Sequence, residues 1–531
     1  MGRVPGRGDA ARSHAQFRGI LVVLSFYYLF VVTAGTFGVL QSRTSFYDKL
    51  AQGFQAGHLY IPDKPKARLL RRADPWNYKS DREWKHWLWD ASLYNKRYYI
   101  YWGPIPAVVL WVVKTLTPYA QTIHDQWLVL LFMVLRLCAG AALIRSYAQT
   151  QYPGLPAWAT NLAILVFGLA SPTPYFLARP LVYEASVAGG QAFLFCGLYC
   201  AFRGLIREQS RTRWFIAAGV SLACAMGSRG SLLITAPLIV ASTTLCSQRL
   251  AGYPVRGLLR SGAALGLPVA LGLALYALYN YQRFDSVFEF GLTYQLTGAR
   301  VSSNPRFILP NLVSYLASEV RWSCAFPYVR LPRERNLTDL ITWPADYDTG
   351  ERWNGETAAG ILLTMTICWF WGVWLWRAAV GISRSLRAGQ APGDERLASV
   401  DVSTRELWLT LSSLCAICAI GPAMGTWMAN MRFLQDAAGG ILLGAIGAAF
   451  WLLGRVYNRQ SKALARRAIV AVYVVAAIHT CFVGVCLGFT GHTDSFFTEN
   501  EALSRRLVKN FSVCSLKREL RKLSGRAPER H

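Results

Sequence analysis

Residues 20–40 read ILVVLSFYYLFVVTAGTFGVL, a run of 21 residues without a charged side chain. A helix needs about 20 apolar residues to cross the hydrocarbon core of a bilayer. Further apolar runs lie at 127–144, 361–376 and 468–489. Only helices and closed barrels satisfy their backbone in lipid, and barrel strands are short and alternating, unlike these runs. The sequence therefore predicts an all-α, polytopic membrane protein.

The apolar segments predict about eleven spans in a transmembrane domain at 19–490, between a basic N-terminus (1–18) and a basic C-terminal tail (491–531). Two long polar segments, 42–126 and 282–357, are predicted to be external loops, the first with interfacial helices. The predicted spans are 19–41, 127–145, 158–178, 186–205, 214–228, 230–247, 261–281, 358–378, 406–424, 433–454 and 468–490.

Lys and Arg collect in the cytoplasmic loops of membrane proteins. By this rule 203–213, 248–260 and 377–405 are cytoplasmic. That orientation requires the short, proline-bounded piece 104–116 to be an interfacial or re-entrant helix. It also requires a hairpin turn at Ser228-Arg229-Gly230, and it places the basic tail outside. The alternative, a crossing at 104–118 followed by an unbroken helix at 214–247, stays open.

The chain carries 56 Lys and Arg against 29 Asp and Glu, a net charge of +27. Cytoplasmic loops and anionic head groups account for this charge in a membrane protein, so membrane lipids are expected partners. No nucleic-acid motif accompanies the charge, and no nucleic acid is expected to bind. The 12 cysteines lie mostly inside apolar runs, which is typical of small packing residues.

The segment 42–103 carries six acidic residues and five tryptophans directly after the first span. Asp90 is the first candidate for a catalytic base, because a carboxylate among aromatic side chains at a membrane surface is partly desolvated. The alternative is a helix cap or an ion pair with Lys96 or Arg97. Asp48 is the second candidate; it lies on a short amphipathic helix, where it is also suited to pairing with a neighbouring Lys or Arg.

Three arginines are candidates for binding a phosphate, for which the planar guanidinium is well suited. They are Arg432, Arg229 and Arg283. The alternative for Arg432 is snorkelling or an ion pair with Asp436 one turn later. Candidates for contacting a substrate are Tyr94, Tyr98, Trp102 and Glu289. No cofactor is certain from the sequence, and a divalent metal stays open.

The order of these parts resembles the GT-C superfamily of membrane glycosyltransferases. After the first helix comes a Tyr-x-x-x-Ala-x-x-x-x-x-Gly stretch (47–57), then Asp90 with Tyr94-Asn95-x-x-Tyr98-Tyr99 and Pro104-x-Pro106-Ala107. A Gly-Ser-Arg-Gly turn follows at 227–230, then Asn-Tyr-x-Arg-Phe-Asp-Ser at 280–286, and Arg-Phe-x-x-Asp opens a late helix at 432–436.

The resemblance implies a polyprenyl-phosphate sugar donor and a glycan, lipid or protein acceptor. It implies that an acid of the first external loop takes the proton of the acceptor hydroxyl, which attacks the anomeric carbon with inversion while the lipid phosphate leaves. Many members carry an acidic pair just before the tyrosine that corresponds to Tyr47, where this chain has Arg43 and Thr44. The departure favours Asp90, and then Asp48, as the base.

Two other functions stay open. A transporter or flippase of a lipid-linked or polar solute predicts paired charges at mid-membrane and internal symmetry. A non-catalytic partner in envelope polysaccharide assembly predicts missing acids. The bacterial inner membrane is the expected location by resemblance.

Overall fold

The structure is a computed structural model that describes residues 7–76, 87–118, 121–251, 255–296, 303–331, 343–347, 357–388, 403–458 and 463–514. The predicted basic segments 1–18 and 491–531 lie partly outside these residues. Helices dominate, and the strands form two short antiparallel hairpins.

The helices in chain order are α1 Arg7–Val32, α2 Phe46–Gln55, α3 Ala67–Leu70, α4 Ile105–Leu116, α5 Asp125–Gln151, α6 Ala157–Leu169, α7 Thr173–Leu177, α8 Val182–Ile206, α9 Arg211–Ser228, α10 Leu232–Ala251, α11 Val255–Phe284, α12 Ile308–Ala317, α13 Ile361–Thr364, α14 Trp371–Ala388, α15 Thr404–Ile417, α16 Gly421–Met424, α17 Met431–Asn458, α18 Ala463–Thr490, α19 Ser495–Glu499 and α20 Glu501–Phe511. The strands are β1 Ser92–Tyr94, β2 Arg97–Tyr99, β3 Arg321–Trp322 and β4 Val329–Arg330.

The described residues include seven helices that are long and apolar enough to cross a membrane. These lie within α1, α5, α8, α11, the α15–α16 segment, α17 and α18. Each of the eleven predicted spans contains a helix, which confirms the prediction of a polytopic helical membrane protein. The span predicted at 158–178 is broken after Leu169, because Pro172 and Pro174 lack the amide hydrogen that would continue α6.

The pairing of helices explains which of them face lipid. The side chains of α8 and α17 are mostly buried, and α17 contacts α15, α18 and α8. By contrast, α1, α11 and α18 keep exposed apolar side chains such as Val22, Leu271 and Val475. Continuous apolar exposure on outer helices is what a lipid-facing surface requires.

The segment between α1 and α5 begins and ends at the same end of the helix bundle. Lys114, in the last turn of α4, is 2.9 Å from the Asp48 carboxylate in α2. The amide of Asp125, which begins α5, donates to the carbonyl of Thr44 at 2.9 Å. Since α4 has only 12 residues, about 18 Å of helix, it has the length and placement of an interfacial helix.

The turn at 229–231 separates α9 from α10, as the predicted hairpin requires. Gly103 packs on this turn so closely that a Cβ atom there would lie 2.1 Å from the carbonyl oxygen of Gly227. The first loop therefore contacts the hairpin directly, and a side chain larger than hydrogen at 103 would separate them.

We call this end of the bundle the loop face. It consists of residues 33–46, 88–104, 171–184, 227–231, 283–296, 425–436 and 491–514. The last of these segments is joined to it by several contacts: Asn500 Nδ2 donates to the carbonyl of Ala34 at 2.9 Å, and Cys324 forms a disulfide with Cys514. The tail up to residue 514 thus lies on the side of the bundle where α1 ends.

Candidate functional site

Asp90 lies at the loop face just before the β1–β2 hairpin. Its φ of 68° is in the left-handed region, which aspartate tolerates better than most residues. The hairpin turns at Asn95 and Lys96, which also have positive φ, and pairs Tyr94 with Arg97. This geometry fixes the direction in which the backbone presents the Asp90 carboxyl group.

Two side chains donate hydrogen bonds to the same oxygen of Asp90. Gln295 Nε2 lies 2.6 Å from Oδ1, and the Tyr101 hydroxyl lies 3.4 Å from it. No donor to Oδ2 is found among the described residues. The hydrogen bonds to Oδ1 therefore orient the carboxylate and leave Oδ2 without a donor from the described residues.

Burial raises the pKa of the Asp90 carboxyl above its ordinary value. The Gln295 hydrogen bond, the positive charges of Arg432 and Arg179, and the Tyr101 hydrogen bond act in the opposite direction. Burial also raises the pKa of Tyr101 well above its usual range, so the phenol keeps its proton and acts as a donor. An aspartate held in this way is a better proton acceptor than one in water.

The second polar segment supplies Gln295. Its backbone pairs with that of Ser92, the amide of Leu296 donates to the carbonyl of Ala91 at 2.9 Å, and Ser92 Oγ donates to the carbonyl of Gly291 at 2.7 Å. The two predicted external loops thus meet at the candidate base. No local sequence pattern indicates this contact, because Asp90 and Gln295 are 205 positions apart.

A row of aromatic rings runs from Asp90 to a pair of arginines. The Tyr101 and Trp102 rings are 4.1 Å apart, and Trp102 meets Tyr183 edge-on at 6.2 Å. The Tyr183 ring has the guanidinium of Arg229 at 4.7 Å and that of Arg432 at 4.6 Å. Rings with cations over their faces are held in a defined plane. The row brings both arginines to the same side of the loop face as Asp90.

Arg229 lies at the α9–α10 turn, where two of its three nitrogens donate hydrogen bonds to protein groups. Its Nε and Nη2 both donate to the Asp436 carboxylate, and Nη2 also donates to the Tyr183 hydroxyl at 2.7 Å. Nη1 has no acceptor in the part of the chain that the structure describes. The ion pair differs from the alternative considered above, in which Asp436 pairs with Arg432 one turn away.

Arg432 begins α17 and lies beside Glu184, with 4.0 Å between Nε and Oε1. Its side chain is 17% exposed, and Glu184 is almost completely buried. The guanidinium is within electrostatic range of Asp90, since its charge lowers the pKa of that carboxyl. Arg432 is therefore placed between the candidate base and the α9–α10 turn.

Asp48 is not brought to this site. It is completely buried, its Oδ1 pairs with Lys114 and accepts from the amide of Ile123, and its Oδ2 accepts from Gln52. With both oxygens bound to protein groups, Asp48 joins α2 to α4. Its geometry corresponds to the alternative of an ion pair with a nearby cation.

Arg283 is also occupied by protein groups. Its Nη1 donates to the carbonyl of Ile100 at 2.6 Å, Nη2 to Asn280 Oδ1 at 2.7 Å, and Nε to the carbonyl of Tyr279. The residue is 2% exposed. All three of its nitrogens are bound to protein groups, which join the end of α11 to the first loop.

Of the four candidates for contacting a substrate, one lies in the aromatic row and three lie elsewhere. Trp102 belongs to the aromatic row; its Nε1 is buried and has no acceptor among the described residues. Tyr98 is buried in the β-hairpin. Tyr94 donates to Asp285 at 2.8 Å on the exposed side, and Glu289 accepts from the Gly291 amide and the Thr293 hydroxyl within its own turn.

The described residues do not form a metal site of the usual kind. No three of their His, Cys, Asp or Glu side chains come together as ligands would. Around Asp90 the polar partners are the side-chain amide of Gln295, the phenol of Tyr101 and the charges of Arg432 and Arg179. We derive no step that involves a metal.

No family model matches the sequence, and no curated protein matches it. Among solved structures, the chain is similar to the oligosaccharyltransferase of Archaeoglobus fulgidus in its apo form, at 13% identity and a TM-score of 0.46 over 95% of this chain and 59% of the other. The same enzyme, AglB, in complex with an inhibitory peptide and a dolichol-phosphate gives 13% identity, a TM-score of 0.42, and coverages of 90% and 56%.

The Pmt1-Pmt2 protein O-mannosyltransferase complex of S. cerevisiae, bound to its sugar donor, gives 11% identity and a TM-score of 0.44, over 89% of this chain and 90% of the other. The chain spans less than two thirds of the length of the archaeal enzyme. The assignment of the site accordingly rests on the side chains of this chain.

Proposed function

We propose that this protein is an inverting glycosyltransferase that transfers a sugar from a polyprenyl-phosphate donor to a hydroxyl group of an envelope acceptor at the loop face. The observation that carries the proposal is the placement of Asp90. One oxygen is fixed by Gln295 and Tyr101, the other has no donor among the described residues, and arginines lie at the far end of the same aromatic row.

In the proposed reaction, Oδ2 of Asp90 accepts the proton of the acceptor hydroxyl. The acceptor oxygen forms a bond to the anomeric carbon from one face, while the bond from that carbon to the phosphate oxygen breaks on the other. The electron pair of the broken bond stays on the polyprenyl phosphate. The sequence resemblance described above supports this order of events, and the carboxylate supports the role of base.

The leaving phosphate gains negative charge as the bond breaks, and fixed cations aimed at that charge lower the barrier. Arg432 and Arg229 are the proposed cations. Tyr183 holds both guanidinium groups over its ring, so their positions are set before the donor binds. Nη1 of Arg229 and the indole Nε1 of Trp102 are the donors proposed to reach phosphate or sugar oxygens.

The proposal is tested by sugar transfer in membranes that contain a radiolabelled pool of polyprenyl-phosphate sugars. Wild type, Asp90→Asn and Asp48→Asn are compared at equal expression. We expect sugar transfer by the wild type and by the folded fraction of Asp48→Asn. We expect loss of transfer with Asp90→Asn.

The other functions predict different results. Absence of transfer by the wild type with every sugar tested would contradict the proposal, and movement of the labelled lipid across the membrane under the same conditions would identify a flippase. Equal transfer by all three proteins would contradict the assignment of Asp90 as the base.

A further inference from the structure

A groove of about 330 Å³ lies at the loop face on the surface of α20, away from Asp90 and the aromatic row. Its lining side chains recur at helical spacing along the chain and include both apolar and polar residues. The lining residues are Phe497, Glu501, Ser504, Arg505, Val508 and Lys509. Two of them are apolar, two are basic and one is acidic.

Two observations indicate that the groove suits a ligand. Ser504 is 2% exposed, and its hydroxyl has no partner among the described residues. Buried hydroxyl groups are normally hydrogen-bonded, so the Ser504 hydroxyl is suited to bonding a ligand in the groove. Arg505 is 77% exposed and contacts Glu501 one turn earlier, and an exposed pair of this kind contributes little energy and can exchange partners.

The position of α20 explains which ligand is suited to the groove. Leu503 packs on the apolar cluster of Ala34 and Phe496 at the end of α1. Nearby, Phe37 is half exposed and contacts Phe26 on the outward face of α1, whose Val22 and Val23 are also exposed. The helix therefore lies where the lipid-facing surface of the bundle meets the loop face, which is the level of the head groups.

The other end of α20 is also connected to a lipid-facing helix, through Tyr328. The Tyr328 hydroxyl donates to the carbonyl of Phe511, and the Tyr328 ring stacks on Phe482, an exposed residue of α18. Shortly after the end of α20, Cys514 forms a disulfide with Cys324. An amphipathic helix tied at both ends to lipid-facing helices remains at the membrane surface.

We propose that this groove binds one anionic phospholipid, with its phosphate on Arg505 and Lys509, the Ser504 hydroxyl donating to a head-group oxygen, and acyl carbons along Phe497 and Val508. Basic side chains attract anionic lipids at a membrane surface. The apolar walls select a lipid over a free phosphate. The site does not depend on the proposed glycosyl transfer.

The proposal is tested on the purified full-length protein in detergent, by thermal unfolding and native mass spectrometry. Three additions are compared: phosphatidylglycerol, phosphatidylcholine and inorganic phosphate. We expect phosphatidylglycerol alone to raise Tm and to remain bound as one retained lipid, because a ligand of the folded state shifts unfolding by mass action.

Two substitutions in α20 provide the matched comparison. Arg505→Gln should remove at least half of the Tm shift, whereas Arg506→Gln, an exposed neighbour that does not line the groove, should leave it unchanged. Glu501→Gln should increase the shift, because it removes the carboxylate that competes for Arg505.

An equal loss of the Tm shift with Arg505→Gln and Arg506→Gln would contradict a specific site. It would indicate general attraction of the lipid to the basic surface. An equal response to inorganic phosphate would contradict a lipid ligand. Retention of phosphatidylcholine as tightly as phosphatidylglycerol would contradict recognition of the negative charge.

Discussion

Asp90 combines a left-handed backbone conformation with a partly buried carboxyl group. A non-glycine residue at φ 68° is uncommon, and such residues are concentrated at functional sites. Its partner Gln295 comes from the second polar segment, and the Gln295 Oε1 atom is itself buried without a partner among the described residues. The pairing is therefore suited to orienting a carboxylate rather than to stabilising the fold.

The raised pKa of Asp90 predicts the pH dependence of transfer. A protonated carboxyl cannot accept a proton, so activity should fall as the pH decreases through the pKa of Asp90. The acidic limb of kcat/KM should accordingly lie above about 4, the ordinary value for aspartate. Gln295→Leu removes a hydrogen bond that lowers this pKa, and should move the limb to higher pH.

Gln52→Leu is the matched control, since Gln52 donates to Asp48 as Gln295 does to Asp90. It should leave the acidic limb where it is. Movement of the limb by Gln52→Leu, or a limb that Gln295→Leu does not move, would show that another group titrates.

Substitutions of Arg432 and Arg283 should have different effects on donor binding and on stability. Arg432→Gln removes a partly exposed cation beside the aromatic row, and we expect an increase of about tenfold or more in the donor KM. Arg283→Gln removes three buried hydrogen bonds and should lower Tm without a specific change in donor KM. The opposite pattern in steady-state kinetics and thermal unfolding would reverse the two roles.

At the level of elements, α2 and α4 are joined by a buried ion pair. Lys114 and Asp48 have side chains that are 4% and 0% exposed, whereas Lys49 and Asp63, from the same region, are 32% and 41% exposed. Removing one member of a buried pair leaves the other charge without compensation, which is far more costly than loss of a surface pair.

Asp48→Asn should therefore destabilise the protein by about 3–5 kcal/mol, and Asp63→Asn by no more than about 1 kcal/mol. Unfolding of the purified variants in detergent measures the difference. Equal stabilities would show that the α2–α4 contact does not depend on this pair. The asparagine at 48 keeps the shape of the side chain, so transfer by the folded fraction should persist.

Much at the level of elements was predictable from local sequence. Hydrophobic length predicted the spans, and the positions of the basic loops predicted the hairpin at 228–230, because both signals are read from short stretches of sequence. The pairing of Asp48 with Lys114 and of Asp90 with Gln295 was not predictable. Those contacts join residues 66 and 205 positions apart, and they depend on packing that no local pattern encodes.

At the scale of the whole molecule, the sites and the tail share one end of the bundle. Arg330 pairs with Asp494 at 3.0 Å, and the Glu499 carboxylate accepts from the amides of Gln41 and Ser42. Positive charge alone would have placed the basic tail inside the cell. The disulfide between Cys324 and Cys514 is instead typical of an oxidising, extracytoplasmic side.

The termini should therefore lie on opposite sides of the membrane. A tag placed after residue 531 should react with an impermeant antibody on intact cells, and a tag before residue 1 should react only after permeabilisation. Reaction of the C-terminal tag only after permeabilisation would contradict the orientation and move the loop face to the cytoplasm.

We propose that Asp90 acts in the chemical step and not in binding the donor. The most direct measurement is a single turnover of purified protein with a bound polyprenyl-phosphate sugar, together with the donor Kd, for wild type, Asp90→Asn and the exposed control Asp74→Asn. We predict that Asp90→Asn lowers the rate by about 100-fold or more while its donor Kd stays within about threefold, and that Asp74→Asn changes neither. A single-turnover rate of Asp90→Asn equal to that of the wild type would show that Asp90 is not the base.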